Sequence, residues 1–295
     1  MSKKIMKRLI CGVLAATSMA ACVVTSTACE TNKPKVEMEL SFNGETYVLD
    51  YTLYRELAPT TVKHFLALAE NGYYDGLCVH NYEESLKKMH TGAYSYTDAE
   101  GDIDGLVYKN YYETVKGYAN FPVSVWMDVE KTNPTYTLYG EFEENNFKVE
   151  SGALRQTYGS LTMFYTDKAT EDRVYVPYLK EDKKGEVARR EYKYNSATSM
   201  FYISLSNSST RNNDYCTFAE LEEESEDVLK DFEEALKAYI KENYETEEDS
   251  SASFTTKYTV TVDEDDAIVG DGKNTATYYV PAKPIVIEKI TVKGY

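Results

Sequence analysis

Residues 58–76 constrain the fold of this chain more than any other segment. Pro59 suits the first turn of a helix, because its missing N–H would have no partner there. Gly72 is typical of a helix end, and an apolar run of strand type begins at Leu77. The segment therefore predicts a short amphipathic helix that ends in a glycine turn and leads into a strand. Its apolar residues recur at helical spacing, at Val62, Phe65, Leu66 and Ala69.

A β-hairpin is predicted before this helix. Apolar and polar residues alternate over 36–42 and again over 47–53. Asn43-Gly44 stands between the two segments, and this dipeptide is a strong hairpin signal. The chain is therefore expected to be mainly β, with flanking helices.

The charge balance argues against one class of partner. The 295 residues carry a net charge of −17, whereas a surface that follows nucleic-acid phosphates needs clustered Lys and Arg. Asp263–Asp266 is acidic but lacks the spacing of a calcium loop, so a polar turn is expected there. The three histidines, His64, His80 and His90, lack the spacing of metal ligands on one element. We expect no metal, no cofactor and no nucleic acid.

The first residues have the pattern of an export signal. A basic start precedes an apolar run over 9–21 that is too short for an ordinary membrane helix. Cys22 follows small residues, and this pattern resembles the lipobox of bacterial lipoproteins. We expect a signal peptide over 1–21, lipidation at Cys22 and a tether over 22–34. Cys29 is the alternative lipidation site, and a plain secretory signal is a third interpretation.

Lipidation would determine where the protein resides. Two acyl chains on one cysteine anchor a protein stably to a bilayer, whereas one chain binds only marginally. The protein is therefore expected to be exported and lipid-anchored on the outer side of a bacterial cytoplasmic membrane.

A long acidic helix is predicted within residues 219–249. Most of its charge is expected on a solvated outer face, with docking of a partner as the alternative. The apolar residues repeat at helical spacing, at Leu221, Leu229, Phe232, Leu236, Tyr239 and Ile240.

Several sequence blocks occur in the order found in one protein family. They are the helix and turn at 58–76, Gly-Glu-Phe at 140–142 with Asn145, Gly-Ser-Leu-Thr-Met at 159–163, Ser-Met-Phe-Tyr-Ile at 199–203, Asp-Tyr-Cys-Thr-Phe at 214–218 and the strand at 284–292. On these blocks, the chain resembles the cyclophilins, which are peptidyl-prolyl cis-trans isomerases, over residues 35–295. The resemblance implies a cyclophilin-like closed antiparallel β-barrel with large insertions near 93–135, 166–195 and 222–275.

The resemblance also implies a catalytic position. Rotation about an X–Pro bond has a barrier of ~18–20 kcal/mol. The family lowers this barrier with a dry aromatic pocket for proline and an arginine that donates to the prolyl nitrogen. Its Phe-His-Arg falls on Val79-His80-Asn81, so Asn81 occupies the arginine position. An amide donates hydrogen bonds but has no charge and no guanidinium fork.

The other groove positions are carried over in the same way. The family's Phe-Met-x-Gln segment falls near Lys88, and Tyr202 replaces the phenylalanine of the pocket floor. Lys87, Lys88 and Arg211 are candidates to replace the lost cation. The implied substrate-binding residues are Met89, Thr91, Phe164, Met200, Tyr202, Thr210, Arg211 and Tyr215.

Most functional side chains of the family are thus replaced while the scaffold pattern persists. We expect a cyclophilin-like peptidyl-prolyl isomerase of weak activity that acts on exported proline-containing or unfolded chains. The alternative is a non-catalytic peptide-binding module, or a cell-surface interaction module that works through its insertions.

Cys78 and Cys216 lie in strand-like runs, and are expected to be buried thiols or a disulfide pair.

Overall fold

A computed structural model describes most of the chain. The predicted signal peptide lies outside the described residues, with Cys22 and Cys29, and so do Thr210, Arg211 and Asp263–Asp266. Among the described helices, none is long and apolar enough to span a membrane. The described residues are 31–99, 102–142, 145, 154–164, 166–167, 173–178, 181–191, 194–195, 198–208, 215–244, 253–261 and 275–294.

Seventeen strands occur in the described residues, and nine of them form one antiparallel sheet. The nine are β1 (Lys35–Phe42), β2 (Glu45–Leu53), β3 (Leu77–Cys78), β4 (Asn81–Glu83), β5 (Lys88–Thr91), β8 (Leu161–Met163), β13 (Phe201–Ser204), β14 (Thr217–Leu221) and β17 (Ile285–Gly294). The others form two-stranded ribbons: β6 (Tyr94–Ala99) with β7 (Asp102–Tyr108), β9 (Thr166–Asp167) with β12 (Tyr194–Asn195), β10 (Arg173–Pro177) with β11 (Val187–Glu191), and β15 (Thr255–Thr261) with β16 (Thr275–Pro281).

The large sheet closes on itself through one short run of chain. Its strand order is β3-β17-β1-β2-β14-β8-β13-β5-β4, so β3 and β4 stand at opposite ends. These two strands are consecutive in the chain and are joined by Val79 and His80. The N–H of Val79 donates to the carbonyl of Ile285 in β17, and the N–H of His80 donates to the carbonyl of His90 in β5. The predicted closed antiparallel β-barrel is therefore confirmed.

The predicted hairpin is present as β1 and β2. The two strands pair in register from Lys35 with Thr52 to Phe42 with Glu45. Asn43 and Gly44 both have positive φ angles, of 49° and 86°. Two left-handed residues produce the turn whose twist matches that of paired strands.

The predicted helix is α1 (Pro59–Glu70), and it packs against β17. Its Phe65 ring contacts the rings of Phe201 and Phe218 in the core. The Glu141 carboxylate accepts hydrogen bonds from the N–H groups of Thr60 and Thr61 at 3.0 and 2.9 Å. A carboxylate at this end satisfies free N–H groups and complements the helix dipole.

The other two α-helices of the described residues lie in the predicted insertions. The first is the short α2 (Tyr111–Val115), and the second is the long α3 (Glu223–Asn243). Apolar residues at helical spacing predict α3 correctly except at one end, because Leu221 belongs to β14. The buried face of α3 includes Leu229, Phe232 and Leu236, and the helix packs against β2. Cys78 and Cys216 are both buried, free thiols.

Candidate active site

A row of paired residues crosses the sheet at the predicted catalytic position. Asn81 in β4 pairs with His90 in β5, His90 pairs with Tyr202 in β13, and Tyr202 pairs with Thr162 in β8. Their neighbours Met89, Phe201 and Ile203 belong to the core. Side chains alternate between the two faces of a sheet, so this row lies on the face opposite the core.

Asn81 itself is buried, and both the nitrogen and the oxygen of its side-chain amide form hydrogen bonds. The residue is 6% exposed. Its Nδ2 group donates to the Glu83 carboxylate at 2.7 Å, and its Oδ1 atom accepts from the backbone N–H of Tyr279 at 2.8 Å. Tyr279 belongs to β16, which packs against β4. Asn81 therefore holds the β15–β16 ribbon onto the barrel.

The Tyr202 ring, which the resemblance places at the pocket floor and which we call the aromatic floor, is covered by other side chains. The residue is 1% exposed, and the His90 ring stacks on it with the centroids 5.3 Å apart. The Tyr215 ring meets it edge-on at 6.0 Å. Phe164 lies against His90, with its centroid 5.0 Å away. Two rings thus contact Tyr202 directly, and Phe164 packs behind one of them.

A cation completes this cover. The Nζ atom of Lys88 lies 4.4 Å from the centroid of the Tyr202 ring and 5.2 Å from that of Tyr215. An ammonium group over an aromatic face is attracted by the ring quadrupole. The site therefore places a positive charge directly above the aromatic floor.

The buried histidines beside this charge are neutral. Burial, with a smaller effect from the nearby Lys88 charge, lowers the pKa of His90 to about 3. The pKa of His80 is also lowered to about 3 by burial, with a smaller effect from His90. The Nε2 atom of His90 lies 3.4 Å from the Glu83 carboxylate. At neutral pH, the imidazoles are thus packing groups, and Lys88 carries the positive charge at the floor.

The structure gathers some of the predicted residues and separates others. Asn81, Phe164, Tyr202 and Tyr215 lie around the floor, as described above. Thr91 pairs with the core residue Phe201, and its hydroxyl donates to the Cys78 carbonyl at 2.9 Å.

The other predicted positions lie away from the floor. Met89 is buried in the core. Met200 packs against a separate cluster that includes Tyr94 and Val280. Thr210 and Arg211 fall outside the described residues.

One site residue was missed by sequence reasoning, and the reason is a matter of register. His90, not Thr91, pairs with both Asn81 and Tyr202. The segment 84–88 is longer than in the family pattern, so the alignment of β5 with the family depends on where the extra residues are placed. Placing them one position away would have set His90 opposite Asn81. Strict alternation along β5 puts Lys88 on the same face as His90. This alternation, counted from Lys88, was the signal that could have identified His90.

No cofactor site is evident near this row. Within the described residues, no group of three or more His, Cys, Asp or Glu side chains could hold a metal ion.

A protein-family model and two solved structures of one protein are similar to this chain. Residues 36–253 match the family model described as cyclophilin type peptidyl-prolyl cis-trans isomerase/CLD. A crystal structure of a Cryptosporidium parvum cyclophilin type isomerase is 15% identical, with a TM-score of 0.40, and the alignment covers 89% of this chain and 99% of that chain. The same protein in the presence of the dipeptide Ala-Pro is 14% identical, with a TM-score of 0.38 and coverage of 88% and 99%.

Among curated proteins, none matches the sequence of this chain. The family match, by contrast, runs from the first strand of the barrel to the start of the β15–β16 ribbon, well over half of the chain. The chain therefore belongs to the cyclophilin-type peptidyl-prolyl cis-trans isomerase family.

Proposed function

We propose that this protein is a weak peptidyl-prolyl isomerase for exported, proline-containing polypeptides, with Lys88 as its cation. Membership of the family suggests the activity. Catalysis of X–Pro rotation needs no nucleophile and no cofactor, because the enzyme only has to bind the twisted amide better than the planar forms. The requirements are an apolar floor for the proline ring and a donor for the prolyl nitrogen.

The observation that carries the proposal is the position of the Lys88 ammonium above the Tyr202 ring. In the family pattern, the cation comes from the strand position that Asn81 occupies here. Lys88 lies on the paired strand β5, and its backbone pairs with that of Glu83, two residues beyond Asn81. A lysine at this place brings three donors and a full charge to the floor.

The same geometry explains why the activity is proposed to be weak. The Tyr202 ring is covered, so Lys88 has to swing aside before a proline ring can contact it. A lysine is a flexible and strongly hydrated point charge, whereas arginine presents a rigid planar fork. Asn81 is held by Glu83 and Tyr279 and brings no charge.

The N-terminal sequence supports the proposed location and substrates. A basic start, an apolar run and Cys22 are the features of a bacterial lipoprotein signal, with Cys29 as the alternative site. Dual acylation there would anchor the protein on the outer side of the cytoplasmic membrane. Its substrates would then be exported chains that fold after translocation.

The proposal is tested by NMR exchange spectroscopy on short peptides with different residues before proline. We expect exchange above the uncatalysed rate with the native protein. Lys88→Met should reduce the catalysed rate about tenfold, because charge stabilisation at a dry site of this kind is worth more than 1 kcal/mol. Lys63→Met, on the exposed face of α1, is the matched control and should leave the rate unchanged.

The alternative is a peptide-binding module without catalysis. It is favoured by the cover over Tyr202 and by the engagement of Asn81 on both sides. Under this alternative, the protein binds proline peptides but leaves their exchange at the uncatalysed rate. A higher rate in Lys88→Met would show that the lysine only obstructs the floor, and would contradict its catalytic role.

A further inference from the structure

A polar cavity of about 410 Å³ lies beside the aromatic floor, next to Lys88. It is bordered by Lys87, Gln156, Ser204, Ser206 and Ser208. We infer that this cavity binds an oxyanion, either a carboxylate on the bound polypeptide or a phosphate. Binding of a phosphate requires only the cavity. Binding of a carboxylate on the polypeptide rests also on the proposed function.

Lys87 supplies the first observation. Its backbone has a left-handed φ of 54°, which is uncommon for a lysine. The conformation is held from both sides, because its N–H donates to the Glu84 carbonyl and its carbonyl accepts from the N–H of Leu205. The chain has a net charge of −17, yet no carboxylate pairs with this ammonium in the part of the chain that the structure describes.

Ser204 supplies the second, independent observation. The residue is 3% exposed, and its hydroxyl has no hydrogen-bond partner among the described residues. Its backbone groups are satisfied, because its N–H donates to the Ser160 carbonyl and its carbonyl accepts from the N–H of Gly159. Buried hydroxyls are normally paired. A ligand that accepts a hydrogen bond in the cavity would supply the missing partner.

The side chains that line the cavity determine which class of ligand it can bind. Two neighbouring ammonium groups exclude a cation, and the serine and amide groups do not suit an apolar guest. Ammonium and hydroxyl groups are donors that a carboxylate or phosphate can accept together, and such charge-assisted bonds are the strong ones. Lys88 borders both the cavity and the floor. An acidic residue near the proline of a bound chain would therefore reach the cavity.

The experiment uses the full exported chain at low ionic strength. Inorganic phosphate and two peptides, which differ only by Glu or Gln before the proline, are titrated by NMR and calorimetry. We expect the Glu peptide to bind about tenfold more tightly than the Gln peptide, with the preference lost at high salt. Lys87→Glu and Ser204→Ala should each remove most of the preference, whereas Lys63→Glu should retain it.

Each outcome has a defined meaning. A preference for the Glu peptide that depends on Lys87 assigns the cavity to a carboxylate of the substrate. Phosphate binding that depends on Lys87, with both peptides binding equally, assigns the cavity to a free anion. If neither ligand shows dependence on Lys87, the inference is overturned. Isomerisation of a peptide without acidic residues is measured separately, so failure of this site does not imply failure of the proposed function.

Discussion

The side-chain oxygen of Asn81 accepts a hydrogen bond from the backbone N–H of Tyr279, a residue 198 positions later in the chain. This contact joins the predicted catalytic position to the β15–β16 ribbon. The other half of the same amide donates to Glu83. The Asn81 side chain is thus a structural connection between β4 and β16.

We predict that Asn81→Ala destabilises the protein by about 1–3 kcal/mol, because the Tyr279 N–H and the Glu83 carboxylate lose a buried partner. The free energy of unfolding is measured by urea denaturation. Asn243→Ala, at the exposed end of α3, is the control and should change it by less than about 0.5 kcal/mol. Equal effects of the two changes would contradict the role of Asn81 as an anchor of the ribbon.

An arginine at the predicted catalytic position should not increase the activity. Arginine is larger than asparagine and is a donor only, so Asn81→Arg would set a donor against the N–H of Tyr279. We predict lower stability and no gain in the rate of X–Pro exchange, compared with the native protein. An increase in rate measured by NMR exchange would show that the ribbon yields and that the groove still accepts a proline ring.

The buried histidines predict a dependence of stability on pH. Burial lowers the pKa of His64 to about 4 and that of His80 to about 3, from an unfolded value of 6.5. The unfolded chain therefore binds more protons below pH 6.5. Stability is fully present above that value and falls as the pH decreases, by about 1.4 kcal/mol per pH unit for each such histidine.

His80→Phe tests this prediction with little loss of packing. The His80 ring lies between the rings of Tyr94 and Tyr278, with centroids 4.9 and 4.8 Å away, and phenylalanine can occupy the same place. Thermal unfolding is followed between pH 7 and 5, where ordinary carboxylates remain ionised. The slope of stability against pH should decrease in the variant. An unchanged slope would mean that His80 does not titrate during unfolding.

Local patterns were sufficient to predict the main elements of the fold. The alternation of apolar residues and the Asn43-Gly44 turn predicted the β1–β2 hairpin, and helical spacing after Pro59 predicted α1. Both signals act within a few residues. The resemblance added the closure of the barrel, which depends on pairing between β17 and β3 over more than 200 residues.

The details of the site depend on contacts that local patterns do not encode. The partner of Asn81 is a backbone group in β16, and nothing in the sequence around Tyr279 specifies that strand's neighbour. A shift of one residue along β5 exchanges the two faces of the sheet, so the choice between His90 and Thr91 depended on where the extra residues were placed. The position of the Lys88 ammonium over the Tyr202 ring depends on the same register of β5.

Gly92 offers a final prediction, which concerns the β5–β13 register. The residue follows β5 directly and has a φ of 96°. A Cβ atom there would lie far inside van der Waals contact with the backbone carbonyl of Ser199, before β13. Gly44 has a similar φ of 86° but open space around it, so Gly44→Ala isolates the cost of the left-handed conformation, about 1–2 kcal/mol.

Gly92→Ala should cost roughly 2–5 kcal/mol, because backbone displacement adds to the conformational strain. The displacement would separate β5 from β13, which carry His90 and Tyr202 as a cross-strand pair. Chemical shifts of the Tyr202 ring should therefore change in Gly92→Ala and stay constant in Gly44→Ala. If the two variants are equally stable and have the same shifts at Tyr202, Gly92 does not control the β5–β13 register, and the geometry of Lys88 over the aromatic floor must have another origin.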